Sequence, residues 1–381
     1  MSAQISSRSD IIIRYGRIAF TSRARTQTNL KLNLSGFMIL PGLVNAHDHL
    51  EFNLFPRLGR GPYPNAAAWA DEIFRPSEEP VASQLRLPKP VRLWWGGLKN
   101  LLSGVTSVAH HNPYEHAVFS RHFPVRVLRR FGWAHSLAFS PDIARCFRRT
   151  PTGAPFIIHA GEGTDLESWR ELYQLDEGKF LRSFTVLVHG VAIRPDDLDL
   201  IRKRGASLVW CPTSNLFTLG RTVSPDVLKS DIPIALGTDS ALSAEGDLLD
   251  ELRVASNHVS TPRLYAMVTS EAARVLHLKS GEGRIQDGGM ADLLVVRAHD
   301  ENIPARLLGL RPELVFLKGQ LMLISADVAR ELRMNGLEHF QTLEIEGRGK
   351  WLFRGNIKGL VEATKQIIGE RICLAGRRVV T

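Results

Sequence analysis

The chain has 381 residues, with 48 Lys and Arg against 39 Asp and Glu, for a net charge of +9 at pH 7 and a pI near 9.7. Hydrophobic content of 44% and charged content of 23%, without low-complexity segments or a sustained heptad repeat, exclude a disordered chain and a coiled coil. The length exceeds one small core and suits one large barrel-type domain with an accessory piece.

In chain order, the opening run MSAQISSRSD reaches only the apolar triplet Ile11 to Ile13 before Arg14. That is too short for a signal-peptide core or a bilayer span, so the sequence predicts a cytoplasmic protein with no membrane partner. Alternating β-like stretches over Asp10 to Ile18 and Leu30 to Leu34 return at Ala291 to Val296 and Glu313 to Ser325. They predict a small flanking β-sandwich built from both chain ends, residues 1–37 and 280–325. Between them, short apolar runs alternate with amphipathic segments, the pattern of strand-helix units on a parallel sheet. Strands are predicted near 42–47, 105–110, 133–139, 154–159, 185–189, 206–211 and 232–237. Helices are predicted at Val91 to Leu102, Asp165 to Leu175 and Pro195 to Lys203, the last opened by proline and two aspartates. The fold class is therefore α/β, with a (β/α)8 TIM-type barrel over residues 38–279. Residues 326–381 mix helix-like and strand-like pieces and are read as a C-terminal extension of unassigned role.

The positive charge is dispersed. Arg126 to Arg130 (RVLRR), Arg145 to Arg149 (RCFRR) and Arg202 to Arg204 (RKR) are short and interleaved with apolar residues, as on a solvated helix face, which argues against nucleic acid as a partner. Cys146, Cys211 and Cys373 are scattered, without C-x-x-C spacing, so a metal here would have nitrogen and oxygen ligands.

Four strand ends carry candidate ligands. The run MILPGLVNAHDHL ends in His47-x-His49, and residues two apart on a strand face the same way, so both imidazoles can hold one ion. His159 follows APFII, His189 follows SFTVLV, and Asp239 follows DIPIALGT. Taken singly, a buried histidine is more often a satisfied core residue and Gly-Thr-Asp-Ser more often a turn. Taken together, all fall at the C-terminal ends of strands, where barrel active sites lie. Glu162, three residues past His159, is placed to reach a substrate as a proton shuttle, although an acidic residue before a helix is also favoured by the helix dipole alone.

These residues resemble the amidohydrolase superfamily, within it the cytosine deaminase-like and triazine hydrolase-like branch. The matching motifs are PGLVNAHDHL, IIHAGEG, VLVHG, CPTSN, ALGTDSALS, VTSEAARVLHL and GRIQDGGMADLLVV, in the family's order. The resemblance implies ligation of one divalent metal ion, zinc or alternatively iron, by His47, His49, His159 and Asp239, with His189 against the metal-bound water or as a further ligand. It makes Glu162 the proton shuttle and Asp239 both ligand and acceptor of the water's proton. No lysine stands where binuclear relatives carry a carboxylated one.

The chain departs from the family at Asp48, where relatives often have Thr, and in a short interval from His49 to His159. Pocket contacts are expected from Phe52, Asn53, Phe55, Trp69, His110, His111, Ser214 and Asn215. The resulting expectation is a metal-dependent hydrolase that deaminates a small aminated heterocycle of pyrimidine, purine, pterin or triazine type. The alternatives are the same site with another leaving group, by dechlorination or cyclic-amide ring opening, and a non-catalytic binding protein on the same fold. The family likeness also implies a homo-oligomer.

Overall fold

Short runs of Ile, Val and Leu bounded by Gly or Pro form the central strands, and nearly every residue in them is buried, as expected of a sheet covered on both faces. The computed structural model describes residues 10–20, 31–120, 122–298 and 307–380. A hairpin of β1 (Ile12–Arg14) and β2 (Arg17–Ala19) is followed by β3 (Phe37–Pro41). Eight parallel strands come next: β4 (Leu43–Asp48), β5 (Val105–His110), β6 (Arg126–Val127), β7 (Gly132–Ala134), β8 (Phe156–Ala160), β9 (Thr185–His189), β10 (Ser207–Trp210) and β11 (Ile234–Leu236). They pair in sequence order as β4-β5-β6 and β7-β8-β9-β10-β11.

The first and last of these strands meet. Asp48 and Asp239 form a parallel bridge, and the amides of Thr238 and Asp239 both donate to the His47 carbonyl, at 2.9 and 3.1 Å. Gly237 makes the approach possible, since a Cβ there would lie 2.7 Å from the Cβ of His47. Helices link the strands. Lys89–Leu102 buries Leu93, Trp95, Leu98 and Leu101 completely, and Gly96 admits the Leu50 carbonyl. Leu166–Glu177 starts on Asp165, whose carboxylate accepts from the Ser168 amide at 2.9 Å.

An antiparallel sheet flanks this unit. It contains β12 (Leu293–Arg297), β13 (Leu314–Leu317), β14 (Gln320–Ser325), β15 (Phe340–Ile345), β16 (Gly349–Arg354), β17 (Cys373–Leu374) and β18 (Arg377–Val380), with β3 at one edge, in the order β17-β18-β15-β16-β14-β13-β12-β3. The C-terminal stretch thus supplies four strands of one sheet. Its helix Ile357–Ile368 returns to the parallel unit, where Trp95 Nε1 donates to Thr364 Oγ1 at 2.8 Å. Arg348 and Arg377 add ion pairs to Asp247 and Asp250 beside the helix Leu248–Ala255.

Three local expectations differ from the structure. Residues 31–34 form no strand, and the edge strand is β3 instead; Leu30 lies outside the described residues. Arg126 is not on a solvated helix but in β6, with its guanidinium held by Glu282 at 2.8 Å and Asp292 at 2.7 Å. The strand expected over 133–139 stops at Ala134, because the Ser136 hydroxyl accepts from the Phe139 amide and the Ser140 hydroxyl from the His135 amide, turning the chain. The helix Ile143–Arg148 exposes its basic side chains, as do Arg202 and Lys203, with Arg202 paired to Asp199 and Asp231, whereas Arg204 is half-buried and paired with Asp176. Among the described residues no helix is long and apolar enough to cross a membrane.

Candidate metal centre

The pleat of β4 puts His47 and His49 on one side, their ring centroids 4.9 Å apart, and Asp48 on the other. His159, on β8, brings its Nε2 to 3.2 Å from His47 Nε2. Asp239 places Oδ1 3.5 Å from His47 Nε2 and 3.7 Å from His49 Nε2, while its Oδ2 accepts from the hydroxyls of Ser214 at 2.6 Å and Ser243 at 2.8 Å. His189 and Asp239 have φ of 75° and 57°, a left-handed conformation that costs a non-glycine residue on the order of 1 kcal/mol or more and is held by the surrounding strands.

Beside this group His189 Nδ1–H donates to Asn215 Oδ1 at 2.8 Å, and its Nε2 lies 3.5 Å from Glu162 Oε1. Burial pushes the Glu162 carboxyl up to about 7 against the opposing pull of His189. Burial likewise lowers His47 to about 4 and His159 well below the usual imidazole range, so these rings are neutral at neutral pH, the form that binds metal. The Asp239 carboxyl is held well below its usual range; burial opposes this, and the hydrogen bond and charge of the neighbouring imidazoles prevail.

The donor set fits a divalent cation. His159 Nε2 is 3.2 Å from both His47 Nε2 and His111 Nδ1, yet one ring nitrogen carries at most one proton and cannot donate to both. A cation among these lone pairs satisfies them together. Nitrogens bound at the usual zinc distance to a tetrahedral ion stand about 3.3 Å apart.

The expected pocket residues divide differently. His111 belongs to the imidazole cluster itself, and His47, His49, His111 and His159 offer nitrogens all within 4.8 Å of one another. His110 does not join them; its Nδ1 accepts from the Leu50 amide and its Nε2 faces Glu51 at 3.4 Å. Asn215 holds His189 through its Oδ1, and the Ser214 hydroxyl holds Asp239. Asn53 donates to Asp48 Oδ1 at 2.7 Å. Phe52 lies near the site, its ring 6.1 Å from that of His49, and packs edge-on against Phe55. Trp69 is tied to the Leu58 carbonyl at 3.0 Å, on the helix Ala66–Ile73.

Asp48 points away from the imidazoles, as the strand period requires, and its charge is met by buried Lys99 at 3.1 Å, with Asn100 and Thr238 also donating. Lys99 was not anticipated, since a lysine in VRLWWGGLKNLL reads as a solvated position. His135 was also missed. It directly follows β7, and its ring stands 4.7 Å from that of His159, so the recurrence of histidine after a strand was the available signal.

A sequence profile described as the amidohydrolase family matches residues 151–326. A 5-methylthioadenosine/S-adenosylhomocysteine deaminase of Pyrococcus furiosus is 24% identical, over 84% of this chain and 92% of that protein. One of the same name from Thermococcus sibiricus is 30% identical, but the match covers only 38% of each chain. Among solved structures, a zinc-bound adenosine deaminase of Xanthomonas campestris aligns over 93% of this chain and 92% of its own, with a TM-score of 0.66 and 19% identity. A mutant atrazine chlorohydrolase of Arthrobacter aurescens, complexed with zinc and atraton, aligns over 94% of both chains with a TM-score of 0.67 and 16% identity, a likeness of fold.

Proposed function

We propose that the chain belongs to the amidohydrolase family, whose profile matches residues 151–326, and that it is a metal-dependent hydrolase that deaminates a small aminated heterocycle. The observation that carries this reading is the convergence of the His47, His49 and His159 nitrogens, with Asp239 Oδ1 within 3.7 Å of His47 and His49, beside a Glu162–His189 pair. In this reading the four residues hold one zinc ion, with iron the alternative. Bound there, the ion supplies Lewis acidity that brings the pKa of a water molecule toward neutrality.

The chain's own groups do the rest. Asp239 Oδ2 is occupied by two serine hydroxyls, which leaves Oδ1 to face the imidazoles and take a proton from water. Glu162, raised to about 7, carries a proton in a large fraction of molecules at neutral pH and delivers it to the leaving nitrogen. His189, anchored through Nδ1 on Asn215, presents Nε2 to Glu162 and to the reacting centre. Water adds at the ring carbon, the carbon–nitrogen bond breaks, and the products are the oxo-heterocycle and ammonia.

The reading includes a (β/α)8 barrel over residues 38–279, supported by the order of the eight parallel strands and the Asp48–Asp239 bridge between its ends. It includes a flanking β-domain drawn from both chain ends and continued by the C-terminal extension, and a cytoplasmic homo-oligomer. The names of the archaeal relatives make 5-methylthioadenosine and S-adenosylhomocysteine the first substrates to test. Ammonia release by zinc-loaded enzyme is expected on one such scaffold, falling about 10²–10⁴-fold in Glu162→Gln. Undiminished release from that variant would refute the assigned role. Chloride or a ring-opened acid as product would keep the site and change the leaving group.

A further inference from the structure

We propose that His111 is a ligand of the same ion, through Nδ1, so that the centre holds four imidazoles and not three. The inference rests on the metal reading above and adds a residue to it. His111 follows β5 directly and turns inward over β8, its ring centroid 4.4 Å from that of His159. Its Nε2 lies 3.0 Å from the Ala134 carbonyl. A carbonyl oxygen only accepts, so the proton is on Nε2 and Nδ1 bears the lone pair. That lone pair faces His159 Nε2 at 3.2 Å.

If His159 binds an ion through Nε2, this nitrogen also has no proton. Two unprotonated ring nitrogens 3.2 Å apart repel unless a cation lies within reach of both, and with one there the spacing is that of neighbouring ligands. His111 also has the support typical of a metal-bound histidine, whose second ring nitrogen donates to a backbone carbonyl or carboxylate and fixes the tautomer. His47 and His159 lack it, because neither Nδ1 has a hydrogen-bond partner. Among the three inner rings, His111 is the one whose tautomer the backbone dictates. His135 makes a useful contrast. Its ring packs on His111 and His159 at 6.5 and 4.7 Å, but it is not in the group of nitrogens within 4.8 Å of one another.

The test is an anomalous-diffraction crystal structure of the full chain loaded with zinc or cobalt, joined to competition against a chelator. The expected result is an ion about 2.0–2.3 Å from His111 Nδ1. His111→Ala is expected to release the ion at least 10-fold more readily, whereas His135→Ala changes retention less than about threefold. An ion bound by His47, His49, His159 and Asp239, with His111 Nδ1 more than about 3 Å away, overturns this inference and leaves the hydrolase reading intact. Unchanged retention in His111→Ala does the same. A chain that takes up no ion at all overturns both.

Discussion

Asp48 shows how one residue's meaning depends on its far neighbours. It lies between two proposed ligands in sequence, yet its carboxylate is on the opposite face and paired at 3.1 Å with Lys99, both fully buried. A buried ion pair stabilises little relative to an apolar pair, but breaking one strands a desolvated charge. Lys99→Met is expected to cost about 3–5 kcal/mol in urea unfolding and to loosen zinc, because the strand segment carrying His47 and His49 loses its anchor. Asp48→Asn combined with Lys99→Met should recover most of that loss, and a double variant as unstable as the single one would show that the pair is not what matters. At this scale the sequence displays His47, His49, His159, His189 and Asp239, since each ends an apolar run. It hides Lys99, which reads as surface, and gives His111 only as a pocket contact, because its orientation depends on a carbonyl from another strand.

At the scale of elements, the buried strands β4, β5, β8, β9, β10 and β11 were legible, because apolar runs ending in Gly or a polar residue leave few alternatives. β6 was not. Two residues give no periodicity, and Arg126 reads as solvated until Glu282 and Asp292, more than 150 positions away, are brought beside it. The close approach of the segment after β11 to β4 depends on Gly237, whose missing Cβ leaves room for His47. Gly237→Ala is expected to push this segment away from β4, lowering stability by about 1–3 kcal/mol and weakening metal retention. Wild-type retention in that variant would mean that the contact yields without moving His47.

Across the whole molecule, burial outweighs hydration for several carboxyls, and this makes stability depend on pH. Glu251, on the helix Leu248–Ala255, is pushed up to about 8 by burial, although the Thr213 amide donates to it at 3.1 Å. Its folded pKa lies above the unfolded one near 4.5, so the proton's contribution is complete below about 4.5 and is lost as pH rises through about 8. Against Glu251→Gln, wild type should therefore lose up to about 1.4 kcal/mol per pH unit across that window. Parallel stability profiles from pH 5 to 9 would contradict this. The same helix meets Arg348, in the turn between β15 and β16, and Arg377 of β18 through Asp250, so the flanking sheet and the parallel unit share one ionic seam as well as the Trp95–Thr364 bond.

By itself the sequence determined the chemistry on offer: nitrogen and oxygen donors at strand ends, a nearby carboxyl, and an α/β chain of repeated units. These follow from local rules, the period of a strand and the residues that end it. Only the tertiary structure decided how the donors combine. Whether His111 faces the site, what neutralises Asp48, which strand holds Arg126, and that residues 340–380 complete a sheet begun at residue 37 all depend on groups far apart in the chain. Such pairings leave no local periodicity, because what selects them is the cost of burying an unpaired polar group once the chain has closed.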